Sequence, residues 1–177
     1  TCGDCAYCTT GRESLCLTPG FISFSTGGGF AEQLACKATQ LIAVPDGVDD
    51  LQAAALQVAF GTSWHMLFTR GRLRPGERVL VNSVGSGIGS AAVQLAHEAG
   101  AYVIGTSSRD DKLEHAAKLG MDAGINYTTA NVVDEVMRIT DGVGADLTYE
   151  HVGGDALQWG LDALRKDGRL VTCGAHA

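Results

Sequence analysis

The chain has 177 residues and a net charge of −7, with 45% apolar and 19% charged residues. That balance suits a soluble globular protein of one domain, or of one domain and part of another. The acidic balance argues against nucleic acid and anionic membranes as partners, and no apolar run is long enough to cross a bilayer, so a cytoplasmic protein is expected. The first residue is Thr1, already inside a cysteine motif, and no signal peptide is visible, so the chain reads as a piece of a longer protein.

Cys2, Cys5, Cys8 and Cys16 open the chain with the spacing C-x2-C-x2-C-x7-C. Four thiolates converging from one short loop close a tetrahedral coordination sphere and leave no place for substrate, which points to a structural zinc. Two alternatives stay open. An iron–sulfur cluster fits less well, because the bacterial ferredoxin run closes with a short gap and a proline, whereas here Leu17 follows the last cysteine. Disulfides would need an oxidising compartment. Cys36 and Cys173 stand alone and read as small core residues.

After the cysteine lobe, Thr18-Pro19-Gly20 marks a turn and Gly27-Gly28-Gly29 another. Phe30 to Val44 reads as short β segments that end at Pro45-Asp46-Gly47. Asp49 or Asp50 can cap a helix over Leu51–Phe60, a run apolar nearly all round and therefore expected to be buried. Gly61 is expected to break it. A second helix over Thr62–Arg70 would bury Trp64, Leu67 and Phe68, and Arg70, Arg72 and Arg74 read as a solvated helix end. From Pro75 the pattern alternates. Strands are expected at Arg78–Ser83, Tyr102–Thr106, Ala123–Asn126, Asp146–Glu150 and Arg169–Cys173. Helices are expected at Ser90–Ala99, Asp110–Leu119, Val132–Thr140 and Asp155–Leu164. Short strands alternating with helices predict an α/β fold, a doubly wound parallel sheet of about five strands with helices on both faces. The division read from the sequence is therefore residues 1–48, a zinc-bearing remnant of a first domain; 49–74, connecting helices; and 75–177, a nucleotide-binding domain.

The first of these strands runs into V-N-S-V-G-S-G-I-G, residues 81–89, and then into a helix. Glycines let the backbone turn tightly and approach a pyrophosphate, which the N–H groups opening the helix then face. Gly85, Ser86, Gly87, Ile88 and Gly89 are therefore candidate dinucleotide-binding residues. At the tip of the second strand an acidic residue would bind the ribose 2′-hydroxyl of NAD. Here Ser107, Ser108 and Arg109 stand there, with no carboxylate before Asp110. Hydroxyls and a guanidinium suit a 2′-phosphate, which favours NADP(H) over NAD(H). A bland alternative makes Arg109 a surface residue and Ser107 or Ser108 a helix cap. His97 and His115 read as surface residues, His65 as a half-buried histidine or a cleft-lining one, and His151 as structural or cofactor-contacting.

The four cysteines, GGFAEQL at 28–34, TSWHML at 62–67, RPGERVLVNSVGSGIGSAAVQLA at 74–96 and GRLVTCGA at 168–175 resemble the medium-chain dehydrogenase/reductase superfamily, most closely its zinc-type alcohol dehydrogenases and quinone oxidoreductase relatives. The resemblance covers essentially the whole chain. It implies a GroES-like catalytic domain joined to a Rossmann cofactor domain, and hydride transfer between a nicotinamide and a small-molecule alcohol, aldehyde, ketone or activated alkene. It implies that Cys2, Cys5, Cys8 and Cys16 hold the structural zinc and that Ser86, Gly87 and Ile88 form the pyrophosphate turn. Ser107 falls where NAD-dependent members carry their acid. Lys112 and Tyr127 fall where NADPH-dependent quinone oxidoreductases hold the adenosine phosphate. Thr62, Val152 and Cys173–Ala175, including Gly174, fall near the nicotinamide.

Catalytic-zinc ligands in this superfamily lie upstream of the cysteine lobe, ahead of Thr1, and a further cysteine ligand would fall near position 58, where this chain has Val58. A catalytic zinc, if the whole protein has one, is thus expected to draw its ligands from outside this chain, and no catalytic residue is assigned. Three functions follow as expectations: an NADP-dependent, zinc-containing alcohol dehydrogenase, a zinc-independent quinone or enoyl reductase, and a non-catalytic NADPH-binding protein. The 177 residues alone are expected to bind cofactor weakly and not to turn over substrate. An unpaired last strand near Leu170–Cys173 suggests a homo-oligomer, dimer or tetramer.

Overall fold

The computed structural model describes residues 1–22 and 27–174, and the chain divides into two units, Thr1–Pro45 and Asp46–Ala177. The first unit contains short 3-10 turns at Cys8–Thr10, Glu13–Leu15 and Ala38–Gln40. Among its described residues only Cys16 is buried. The β segments expected between residues 30 and 44 do not form, and Leu41 and Ile42 lie exposed. A strand needs a neighbour for its N–H and C=O groups, and the described residues of this unit supply none.

The second unit begins with α1, Asp50–Trp64, capped by Asp49: its carboxylate accepts the Gln52 N–H at 2.8 Å while Gln52 Oε1 accepts the Asp49 N–H. Gly61 does not break this helix. A glycine costs a helix only about 1 kcal/mol relative to alanine, and the residues beyond it are anchored in the core. α1 runs directly into a π-helical turn, His65–Arg70, where Met66 and Leu67 are buried and Phe68 half-buried. Trp64 stays exposed and packs against Phe68 with the rings tilted by 57° and their centroids 4.6 Å apart. Gly71 ends the turn by donating to the Met66 carbonyl, so close that a Cβ at this position would meet the carbonyl oxygens of Met66 and Leu67 at 2.7 Å. The expected burial of the 51–60 run is also corrected: Leu51, Leu56 and Val58 are exposed. The run has no polar side, so whatever does not face the neighbouring helix remains an apolar surface.

Five strands follow: β1 Arg78–Val81, β2 Tyr102–Ser107, β3 Ala123–Asn126, β4 Ala145–Glu150 and β5 Leu164–Thr172. Between them run α2 Gly87–Glu98, α3 Asp110–Lys118, α4 Val132–Ile139 and α5 Gly154–Asp162. All strand pairs are parallel, in the order β3-β2-β1-β4-β5. The period-2 alternation of each strand fills two cores. Val79, Val81, Val103, Leu147 and Tyr149 meet α2, α3 and the π-helical turn on one face. Leu80 and Ile104 meet α4 and α5 on the other, with Val136 and Trp159. Ala91, Ala92, Val93 and Ala96 give α2 a thin inner face that lets it lie close on the sheet. Strand β5 starts five residues before its expected start, because α5 ends at Asp162 and Leu164 already pairs with Ala145. An irregularity in that pairing, between Ala145 and Leu147, absorbs the extra length, with Asp167 in the left-handed region at φ 61°. Cys36 and Cys173 are both half-buried, and Cys173 packs against the first of these cores.

The amino end of the β1–β4–β5 ladder is held by charge. Asp146 pairs with Arg165 and accepts the Arg78 N–H at 2.8 Å. Arg169 bridges Glu77 and the carbonyls of Gly71, Arg72 and Asp146. Burial opposes the Asp146 charge, but the Arg78 N–H and the Arg165 guanidinium outweigh it, so its pKa lies below the ordinary carboxylate value. A depressed carboxylate stabilises the fold above its unfolded pKa, and that contribution is lost as pH falls through the folded value. Asp146→Asn should therefore lower stability by about 1–3 kcal/mol at neutral pH, with the gap to wild type closing below roughly pH 4. Urea titrations at both pH values measure it.

Candidate cofactor site and cysteine lobe

In an open parallel sheet the ligand crevice lies where the strand order reverses, here between β1 and β4. Two loops leave that point in opposite directions: Asn82–Ser86 from β1 into α2, and His151–Gly153 from β4 into α5. Ser86 is the N-cap of α2. Its Oγ accepts the Gly89 N–H at 2.9 Å and donates to the Ser83 carbonyl at 3.0 Å. Ser83, at φ 54°, donates its N–H to Thr106 Oγ1, and Val84 donates to the Thr106 carbonyl, so the loop is fastened to the end of β2. Gly89 has no room for a side chain: a Cβ would sit 2.9 Å from both Ser86 Oγ and Val84 Cα. At the end of β4, the buried Glu150 carboxylate accepts the N–H groups of Val152 (2.7 Å) and Gly153 (3.0 Å), and its other oxygen accepts from Thr172 Oγ1 at 3.5 Å. One acid thus shapes the β4 turn and ties it to the end of β5.

A third fastening comes from α1. Buried Ser63 donates to the Ile88 carbonyl at 3.0 Å, so the Tyr149 hydroxyl, 2.9 Å away, donates to Ser63. Burial pushes the Tyr149 phenol well above its ordinary pKa, which keeps it a proton donor. The sequence reading missed Ser63, Tyr149, Asn82, Thr106 and Glu150. Their only sequence signal is position, on or beside strand and helix ends that converge at the crevice.

Ser86, Gly87, Ile88 and Val152 line one hollow of about 540 Å³ with Ser83, His151 and the small side chains of α1. Val152 also borders a smaller pocket of about 230 Å³ with Asn82, Thr106, Tyr127 and Trp159. There Tyr127 meets Trp159 edge-on at 5.2 Å, and the buried Trp159 Nε1 has no partner. Thr62 is elsewhere, in a hollow of about 780 Å³ with His65, Thr172 and Cys173. Gly174 follows β5 at φ 63°, and Ala175 lies outside the described residues. His65 is half-buried and accepts from Arg70 Nε at 3.2 Å, and His97 and His115 are exposed.

At the carboxyl end of β2, Ser107 is buried and its Oγ accepts the Arg109 N–H at 3.3 Å, a local turn bond. Neither Ser107 nor Ser108 caps α3, whose N-cap is Arg109 without a side-chain bond. The Arg109 guanidinium binds Asp111 through two hydrogen bonds of 2.8 and 2.6 Å. That pair is largely exposed and worth at most about 1 kcal/mol. Lys112 makes no ion pair among the described residues, and its stem packs over Gly85, where a Cβ would collide with it. Tyr127 donates its N–H to the Ser107 carbonyl. Ser107, Tyr127 and the start of α3 thus share one sheet edge.

In the first unit the Sγ atoms of Cys2, Cys5, Cys8 and Cys16 lie within 4.8 Å of one another, and no disulfide links them. Cys2 to Cys8 is 3.9 Å and Cys2 to Cys16 is 3.6 Å. Thiolates at about 2.3 Å from a tetrahedral ion sit roughly 3.8 Å apart, so the four sulfurs fit such an ion. The backbone N–H groups of Leu17 and Cys8 draw the Cys5 thiol down to about 6. The Cys2 N–H lowers Cys16 as well. At Cys8 the Gly3 N–H favours the thiolate, but burial and the other three sulfurs outweigh it and push the thiol up to about 12. A bound cation would remove that penalty.

These observations agree with comparisons to known proteins. The alcohol dehydrogenase GroES-like domain profile matches residues 1–46, and the zinc-binding dehydrogenase profile matches residues 87–177. The chain belongs to the medium-chain dehydrogenase/reductase superfamily. Members of that superfamily bind NAD(P)H. The chain is 38% identical to a quinone oxidoreductase-like protein 2 homolog of Nematostella vectensis over 84% of its length and 40% of the relative's. It is 35% identical to a 2-haloacrylate reductase of a Burkholderia species over 90% of its length and 51% of the relative's. A solved structure described as an NAD-dependent alcohol dehydrogenase superposes with a TM-score of 0.92 at 35% identity, covering 96% of this chain and 50% of that one. The chain spans about half or less of the length of these relatives. No helix among the described residues is long and apolar enough to cross a membrane.

Two outcomes are expected. Gly89→Ala should destabilise the second unit by about 1–3 kcal/mol and weaken dinucleotide binding, measured by thermal melting and nucleotide titration. Removing metal with a chelator should expose all four thiols of the lobe to a thiol reagent while leaving the far-UV spectrum of the α/β unit in place.

Proposed function

We propose that this chain is the cofactor-binding portion of an NADP(H)-dependent oxidoreductase of the zinc-containing alcohol dehydrogenase type. In the whole protein it would pass hydride between the nicotinamide and an alcohol, aldehyde or ketone. The crevice between the β1 and β4 loops is the observation that carries this reading. There α2 turns its first N–H groups, backed by the helix dipole, toward an anion. The pyrophosphate would rest on Ser86, Gly87 and Ile88, with Gly85 and Gly89 making the turn possible. The nicotinamide would lie toward Val152, Thr62 and Gly174.

A 2′-phosphate would be met by Ser107, Ser108, Lys112 and Tyr127. Arg109 would join them by giving up its weak surface pair with Asp111. The alcohol dehydrogenase that superposes on this chain is described as NAD-dependent, so the preference needs its own test. Ser107→Asp should weaken NADPH binding by about tenfold or more, through repulsion of the phosphate, and leave NADH binding equal or better. Titration of both nucleotides measures it, and an unchanged NADPH-to-NADH ratio would refute the assignment.

Cys2, Cys5, Cys8 and Cys16 would hold a structural zinc, which braces the lobe and takes no part in the reaction. A second reading is a zinc-independent quinone or enoyl reductase. It is favoured by Val58, which lines the hollow beside Ile88 and Val152, where a metal-binding member would present a ligand. The cysteine lobe is the only group of three or more candidate metal ligands among the described residues. Metal content of the whole protein separates the two: two zinc ions per subunit support the alcohol dehydrogenase, one supports the reductase. Turnover of any alcohol or quinone would dismiss a purely cofactor-binding role. The whole protein is proposed to act in the cytoplasm as a homo-oligomer.

A further inference from the structure

His151 is the first residue after β4 and is only 6% exposed. Its Nε2 lies 2.8 Å from Ser86 Oγ, across the switch point from its own strand. The hydrogen on that bond can be assigned by counting. A serine hydroxyl has one proton and two acceptor positions. The Ser86 proton goes to the Ser83 carbonyl, which can only accept, and the Gly89 N–H fills one lone pair. The remaining contact requires a hydrogen from the imidazole, so His151 carries its proton on Nε2 and donates. With all three positions of Ser86 used, the hydroxyl has one orientation, and no lone pair of it is left to face an incoming anion.

We propose that His151 is a positioning residue for the dinucleotide. It holds the cap serine, and through it the Ser83–Gly87 turn, in the shape that presents the Gly87 and Ile88 N–H groups to the pyrophosphate. As the first residues of α2 these two have no acceptor within the helix. Glu150 spends its carboxylate on the Val152 and Gly153 N–H groups. The Tyr149 ring meets the imidazole edge-on at 5.7 Å, and α1 contributes only Ala54, Ala55, Val58 and Ala59 to the shared hollow. The inference rests on the dinucleotide reading above and adds to it a residue that would act through Ser86 and not on the cofactor itself.

Three replacements separate positioning from simple bulk. Glutamine places its amide N–H₂ near Nε2 and keeps the donor. Asparagine is polar but stops near Nδ1 and cannot reach Ser86. Leucine removes the donor. NADPH and NADH dissociation constants are measured on the purified protein by nucleotide fluorescence. His151→Leu and His151→Asn should each lose about tenfold for both nucleotides alike, because the pyrophosphate is common to them, while His151→Gln retains affinity within about threefold. Equal loss in the Gln and Asn variants, or full affinity in the Asn variant, would overturn the proposal, and this comparison decides even if the Leu variant does not fold. Ser107→Asp, run in parallel, should change the ratio of the two nucleotides, which the His151 variants should not. A wild-type protein that binds neither nucleotide would instead defeat the dinucleotide reading itself.

Discussion

The parallel pairing of β1 with both β2 and β4 is the constraint on which the second unit depends. Because β2 and β3 lie on one side of β1, and β4 and β5 on the other, the connections that leave β1 and β4 must part company. The parting opens a crevice at the carboxyl ends of the strands, and the two loops that border it carry most of the polar residues of the site. The crevice is therefore a product of winding order. What the sequence adds is the chemistry of its rim: small residues where backbone must come close, and hydroxyls and a carboxylate where loop N–H groups need partners. Without those partners each buried N–H would cost about 1–3 kcal/mol, and the loops would relax into shapes that fill the gap.

Seen this way, the polar residues around the crevice are fasteners. Thr106 holds the β1 loop to β2, Glu150 holds the β4 turn to β5, and Tyr149 with Ser63 holds α1 to the first turn of α2. Asn82 adds a bond to the Ala156 carbonyl at 2.9 Å and so joins the β1 loop to α5. Each side chain spans two elements far apart in sequence and bonds mainly to backbone. That arrangement preorganises the rim, so a bound anion would not have to supply the ordering energy.

The sheet was legible in the sequence because each strand is a short apolar run bounded by turn residues, and each helix has a period that a strand cannot imitate. The glycine turn was legible because its spacing sits between such a strand and helix. Other features were hidden for physical reasons. Gly61 carries a breaker's propensity of about 1 kcal/mol, which the packing of Met66 and Leu67 overrides. Leu164 reads as helical by its neighbours, yet it pairs with Ala145 in β5. Residues 30–44 have strand composition, but composition provides no partner strand. Ser63, Tyr149 and Glu150 act through contacts between distant parts of the chain, which no local pattern encodes.

The two units are held by different physics. The α/β unit has two apolar cores, with Leu67, Val79, Leu80, Val93, Ile104, Val136 and Leu147 all removed from water. Burial at roughly 1.5–3 kcal/mol per large aliphatic side chain gives it a stability of its own. In Thr1–Pro45 only Cys16 is buried among the described residues, and Leu15, Leu17 and Phe21 face solvent. Apolar burial cannot hold so small and open a unit, and its turns supply only a few backbone bonds. Its four sulfurs nevertheless sit at the spacing of a tetrahedral thiolate site. A tetrahedral ion held there would supply the energy that apolar burial does not. Such an ion would have no chemistry to do, because four thiolates that saturate it to hold a loop together leave no open position for a reaction.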